Sequence, residues 1–221
     1  MTSVLAPEVV EIVARSLAVS GCATAAAMAF ALPVSLALLR SESRLARAVI
    51  VVSNSFLSVP AVVIGLGCYL LMSRNGPLGL LRLLYTPWAM VLAQAVLAFP
   101  IILSLTVSGM KLIVKPVGDT ILTMGANSFQ FLLSLLFEGR RQFFAAAIMG
   151  FSRVIGETGM TLMVGGNIKG ETRVMTTTIA LETMKGNFEL AVILGVILLG
   201  VAVVINIILN LYVGRNNASW V

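Results

Sequence analysis

Arg153 and Glu157 are the residues of this chain whose types and spacing point most directly to chemistry. They sit in the run FSRVIGETGMTLMVGGNIKG, Phe151 to Gly170, with no other charge between Arg141 and Lys169. An ionised side chain at membrane depth costs about 2.5–3.5 kcal/mol on insertion scales, so such groups face protein or water rather than lipid. Their i,i+4 spacing puts both on one helix face and lets them pair. Two roles are open: an ion pair that neutralises both charges and orients the helix, or the lining of a polar path or gate. A lone arginine attracts a tetrahedral dianion, but Glu157 one turn away offsets it, which argues against a tight anion site. Gly156, Gly159, Gly165, Gly166 and then Asn167 follow, and small residues let another helix approach closely. Gly165, Gly166 and Asn167 therefore join Arg153 and Glu157 as candidate path or gate residues.

Other chemistries are absent from the residue inventory. The chain has no His, which removes Ser–His and Cys–His catalysis and His-ligated metals. Cys22 and Cys68 both fall in apolar stretches and read as small packing residues rather than a disulfide or a metal pair. No G-x-x-x-x-G-K-[ST] occurs, so the chain lacks the usual phosphate cradle for ATP. We expect no catalytic residues and no metal.

The elements that must position the pair are membrane spans. Of 221 residues, 59% are hydrophobic and 11% charged, against about 25% charged in a soluble domain. The net charge of +6 belongs to the loops and suits an anionic membrane surface. No basic polar domain is present to hold nucleic acid. Residues 1–221 read as one all-α membrane domain. Apolar runs predict spans at about 16–39, 48–73, 87–110, 142–166 and 190–213. Residues 1–15 predict a short amphipathic surface helix, and no cleavable signal pattern precedes the first span. Gly21, Ala25 and Ala29 make a small-residue face in the first span. Pro60 predicts a kink in the second, and Gln94 a hydrogen bond across helices in the third. Residues 167–189 read as a polar loop. With the N-terminus outside, eight basic residues fall inside (Arg40, Arg44, Arg47, Lys111, Lys115, Arg140, Arg141, Arg215) and six outside, a weak preference under the positive-inside rule.

Between the third and fourth spans, about residues 118–139, TILTMGANSFQFLLSLLF is uncharged yet striped. Thr123, Asn127, Gln130 and Ser134 form a polar row beside an apolar row of Leu122, Ala126, Phe129, Leu133 and Leu136. Gly125 interrupts early. The pattern predicts two short helices at the membrane face, one exposing a patch to a partner.

SRVIGETG followed by GGN resembles the permease subunits of ABC importers for molybdate, tungstate and sulfate. Their cytoplasmic signature, E-A-A-x3-G-x9-I-x-L-P, aligns with GDTILTMGANSFQFLLSLLFEG. Gly125 matches outright, Asp119 stands at the Glu position, and Thr120, Ile121 and Glu138 depart. ALPVSLALLR, SVPAVVIGLG and the Gln94–Pro100 stretch add matches, and NIKGETRVMTTTIALETMKGNFELA is most similar to the tungstate branch. The resemblance covers roughly residues 8–213. It implies a type I importer permease fold of about five transmembrane helices, working as a homodimer by alternating access in a prokaryotic cytoplasmic membrane. It also implies a separate pair of ABC ATPase subunits, holding ATP and Mg, docked on a coupling helix carrying Asp119, Gly125, Ala126, Asn127, Ser128 and Phe129. An extracytoplasmic binding protein would deliver the oxyanion. The rival is a secondary transporter or channel for a small anion. That would call for inverted repeats or several buried ionisable groups, and the sequence has neither.

Overall fold

The computed structural model describes residues 2–41, 43–123, 125 and 127–214. Every regular element among them is helical: α1 Thr2–Arg40, α2 Arg44–Ser55, α3 Ala61–Met72, α4 Pro87–Thr123, α5 Ser128–Ile155, α6 Gly159–Gly165, α7 Met175–Met184 and α8 Phe188–Gly214. Short 3-10 turns lie at Phe56–Ser58 and Gly79–Leu81.

α1 merges the expected surface helix with the first span. The helix runs unbroken through Pro7 and Pro33, and two of its buried hydroxyls bond within it. The hydroxyls of Ser16 and Thr24 donate to the carbonyls of Ile12 (2.7 Å) and Ser20 (2.8 Å), one turn back. The N-terminal turns are tied to the loop before α7. Glu8 pairs with Lys169 (3.0 Å) and Arg173 (3.4 Å), and Arg15 donates to the carbonyl of Gly170 (2.7 Å). The segment is thus bound to protein rather than lying alone on a membrane.

The main core is the seam between α1 and α4. Val19, Ala23, Ala27 and Ala31 of α1 are buried, as are Ala89, Ala93 and Leu97 of α4. Small side chains bring the two backbones close, which is how helices gain packing energy where lipid is as apolar as protein. Gly21, Ala25 and Ala29, the small face expected to pack, lie outside this seam.

Among the described residues, three helices are long and apolar enough to cross a membrane: Pro7–Arg40, Pro87–Lys111 and Phe188–Leu211. The apolar stretch 48–73 is a broken pair instead, with α2 and α3 meeting at 106°. Val59 and Pro60 are extended there, as a residue preceding proline favours. The stretch 142–166 is divided as well, between α5 and α6. The two charged ends of the molecule differ. Arg40, Arg47, Lys111, Arg140 and Arg141 gather at one, a basic end, where Arg40 stacks 5.4 Å above the Phe131 ring. Glu8, Arg15, Lys169, Arg173, Glu182 and Lys185 mix signs at the other.

Candidate functional site

α5 stops at Ile155 because Gly156 and Gly159 bracket Glu157 and Thr158, and the Glu157 amide folds back onto the carbonyl of Val154 (3.2 Å). Arg153 occupies the last turn of α5, where a cation meets the negative end of the helix dipole. It pairs with Glu157, which lies just beyond the helix. The expected pair forms, but across a helix break rather than on one continuous face. The Arg153 side chain is 40% exposed and that of Glu157 14%.

The carbonyl of Glu157 is a junction. It accepts from Thr161 Oγ1 in α6 (2.8 Å) and from Thr176 Oγ1 in α7 (3.1 Å). Gln94 Nε2 of α4 donates onward to Thr161 Oγ1 (3.4 Å), which supplies the expected bond across helices. Gln94 Oε1 is buried without a hydrogen-bond partner among the described residues. The sequence reading did not single out Thr161 or Thr176.

The two helix breaks meet. A Cβ on Gly159 would stand 2.8 Å from Val62 Cγ2, just past Pro60, and one on Gly65 would stand 2.8 Å from the Cα of Met160. α3 and α6, the short halves of two interrupted stretches, therefore pack backbone to backbone. Gly165, Gly166 and Asn167 lie one short helix away from Arg153 and Glu157. They form a turn: Gly166 and Asn167 take positive φ (71° and 52°), and Asn167 Oδ1 accepts from Thr177 Oγ1 (2.9 Å). Gly165 lies close against Met90 and Gly166 against Tyr85.

Residues 111–141 are not two short helices on a membrane face. α4 runs on to Thr123 and α5 starts at Ser128, so two long helices close into a hairpin at Gly125, whose φ is +76°. Asn127 and Gln130 form a capping box: Asn127 Oδ1 accepts from the Gln130 amide (2.8 Å) and Gln130 Oε1 from the Asn127 amide (2.9 Å). Two members of the expected polar row are thus spent on a cap. The packed apolar face is Phe131, Leu132, Leu135 and Leu136, which meet Leu36 and Met110. Phe129, Leu133 and Phe137 form a second, exposed row at four-residue spacing. Ala126, and the side chains of Asp119, Leu122, Thr123 and Ser128, lie outside the described residues.

At the mixed-charge end, Glu182 is buried with Lys185 Nζ and Asn187 Nδ2 each 3.0 Å from its oxygens. The Lys185 hydrogen bond holds its carboxyl below the ordinary range, against the opposing effect of burial.

No protein-family model matches the chain. The tungstate uptake system permease protein TupB of Peptoclostridium acidaminophilum is 40% identical over 203 residues, covering 92% of this chain and 89% of that protein. This chain is a member of the tungstate-type ABC permease family. A probable anion ABC transporter permease protein of Haloferax volcanii is 37% identical, covering 89% of this permease and 87% of the relative. A molybdenum transport permease, ModB of Azotobacter vinelandii, is 29% identical over 64% of the permease and 66% of its own length. Among solved structures, an amino acid ABC transporter chain superposes with a TM-score of 0.68 at 15% identity, covering 95% of the permease and 94% of that chain. The fold is therefore that of an ABC transporter permease. The permease is not itself an enzyme, since ATP hydrolysis in ABC uptake systems belongs to a separate subunit.

Proposed function

We propose that this permease carries tungstate across a prokaryotic cytoplasmic membrane as one subunit of an ATP-driven importer. The observation that carries the reading is the 40% identity, over nearly the whole chain, to a tungstate uptake permease. Five crossings are assigned to α1, the α2–α3 pair, α4, the α5–α6 pair and α8. Two copies place the path between them. An ABC ATPase pair docks at the basic end on the α4–α5 hairpin, around Asp119, Gly125, Ala126, Asn127, Ser128 and Phe129. A tungstate-loaded binding protein docks at the mixed-charge end.

The geometry suits alternating access. Interrupted helices leave main-chain polar groups at membrane depth, which is tolerated only where protein or a water-filled cavity receives them. The two breaks meet where Val62, just past Pro60, lies against Gly159, close in sequence to Arg153 and Glu157. Closure of the ATPase pair moves the hairpins, and α5 carries that motion to the break. Gly165, Gly166 and Asn167 hold the far side of α6 fixed while the break repacks. The binding protein shifts the balance only by favouring one of the two packings.

The test is ATP hydrolysis by the permease reconstituted with its ATPase and binding protein, comparing tungstate, molybdate and sulfate. Stimulation by tungstate at the lowest concentration is expected. Stimulation by molybdate alone reassigns the anion, and a complex that forms yet responds to none removes the oxyanion reading.

A further inference from the structure

At the basic end, the last turn of α1, the first turns of α2 and the inner part of α4 form an open surface cavity of about 470 Å³. Arg47 and Lys111 line it together with Ser41, while Leu38, Ile50 and Val107 form apolar wall. Neither Arg47 nor Lys111 has an acidic partner among the described residues. The site lies apart from the helix breaks: Lys111 is about 31 Å along α4, at 1.5 Å per residue, from Met90, which lies against the Gly165 turn.

We propose that this cavity seats the phosphate head of an anionic phospholipid. The ligand chemistry is a tetrahedral oxyanion held by two cations: a guanidinium presents a planar fork to its oxygens, and an ammonium acts as a point charge beside it. A free inorganic anion has the same head chemistry but has no use for the apolar wall. A lipid uses both, laying the start of an acyl chain along Leu38, Ile50 and Val107. The neighbouring surface of α2 exposes Leu45, Val51 and Val52, an apolar setting continuous with the bilayer. Basic pockets between transmembrane helices on the cytoplasmic side take anionic headgroups in this way.

The test uses the full chain, purified in mild detergent and stripped of lipid. Phosphatidylglycerol, phosphatidylcholine and inorganic phosphate or tungstate are added in separate arms, and adducts are read by native mass spectrometry. The wild type is expected to retain phosphatidylglycerol over phosphatidylcholine by roughly tenfold or more. The Arg47→Gln, Lys111→Gln double variant loses that preference. Arg47→Lys, which keeps the charge, retains it, as does Arg82→Gln outside the cavity. Equal retention of the two lipids, a preference unchanged in the double variant, or an Arg47-dependent adduct with the inorganic anion alone would each overturn the proposal. None of these readouts involves transport, so the result stands apart from the choice of transported anion.

Discussion

Thr176 of α7 donates its hydroxyl to the main-chain carbonyl of Glu157, at 3.1 Å. The break that ends α5 is thereby tied to a helix at the mixed-charge end of the molecule. Two regions assigned to different partners, the hairpin and the outer helix, share one carbonyl through α5.

Removing one member of the Arg153–Glu157 pair leaves the other charge without its partner beside the break. Glu157→Ala is expected to lower anion-stimulated ATP hydrolysis by about tenfold, equivalent to roughly 1.4 kcal/mol. Combining Arg153→Gln with Glu157→Gln should recover much of the loss. Both are measured in the reconstituted complex, and an unchanged rate in Glu157→Ala would remove the pair from either role.

The contact between α3 and α6 has no room for a methyl group. Gly65→Ala forces backbone apart from backbone and is expected to cost about 1–3 kcal/mol. A Cβ on Gly67 meets nothing within 4 Å, so Gly67→Ala serves as the neutral control. Thermal unfolding of the two variants in detergent makes the comparison.

The capping box at the hairpin tip should matter more to coupling than to the fold. Asn127→Ala removes a cap worth about 0.5–2 kcal/mol locally and is expected to leave global unfolding nearly unchanged while weakening ATPase stimulation. Phe129→Ala is expected to weaken association with the ATPase, read by co-purification. Wild-type association in Phe129→Ala would take the exposed row out of the docking surface.

Glu182 supplies a pH dependence with a definite sign. Its carboxyl is held below its unfolded value, so the stabilisation is present above the ordinary carboxylate range and fades as pH falls through the folded value. Melting temperature is expected to drop on acidification below about pH 4.5. Lys185→Ala should be less stable than wild type at neutral pH, with the gap narrowing in acid. A gap that widened in acid would contradict the assignment.

Much of this fold was legible from charge-free apolar runs, because a stretch such as residues 16–39 has few alternatives to a helix. The depth of the Pro60 break was not. Proline announces an interruption, but neither the 106° angle nor the packing of α6 against α3 is written in the residues around Pro60. α7 was hidden for a different reason. Thr176, Thr177 and Thr178 read as loop by polarity and branching, yet the hydroxyl of Thr178 bonds to the carbonyl of Val174 and that of Thr177 to Asn167, and all three residues are buried. At the site, spacing announced the Arg153–Glu157 pair. Gly156, which ends α5 between them, and Gly159 just beyond could not be told from glycines that merely permit close packing. In the hairpin, the same polar letters served a cap instead of a stripe.

α5 is an uninterrupted rod of 28 residues, about 42 Å at 1.5 Å per residue. Its first residue lies next to the proposed ATPase contact and its last next to the break. Leverage follows: a tilt of about 5° moves the far end of such a rod by roughly 4 Å, most of one helical turn. A hinge anywhere along α5 would absorb that stroke before it reached Glu157. A proline or a glycine pair in its middle should therefore leave the ATPase bound and turning over while the anion stays outside.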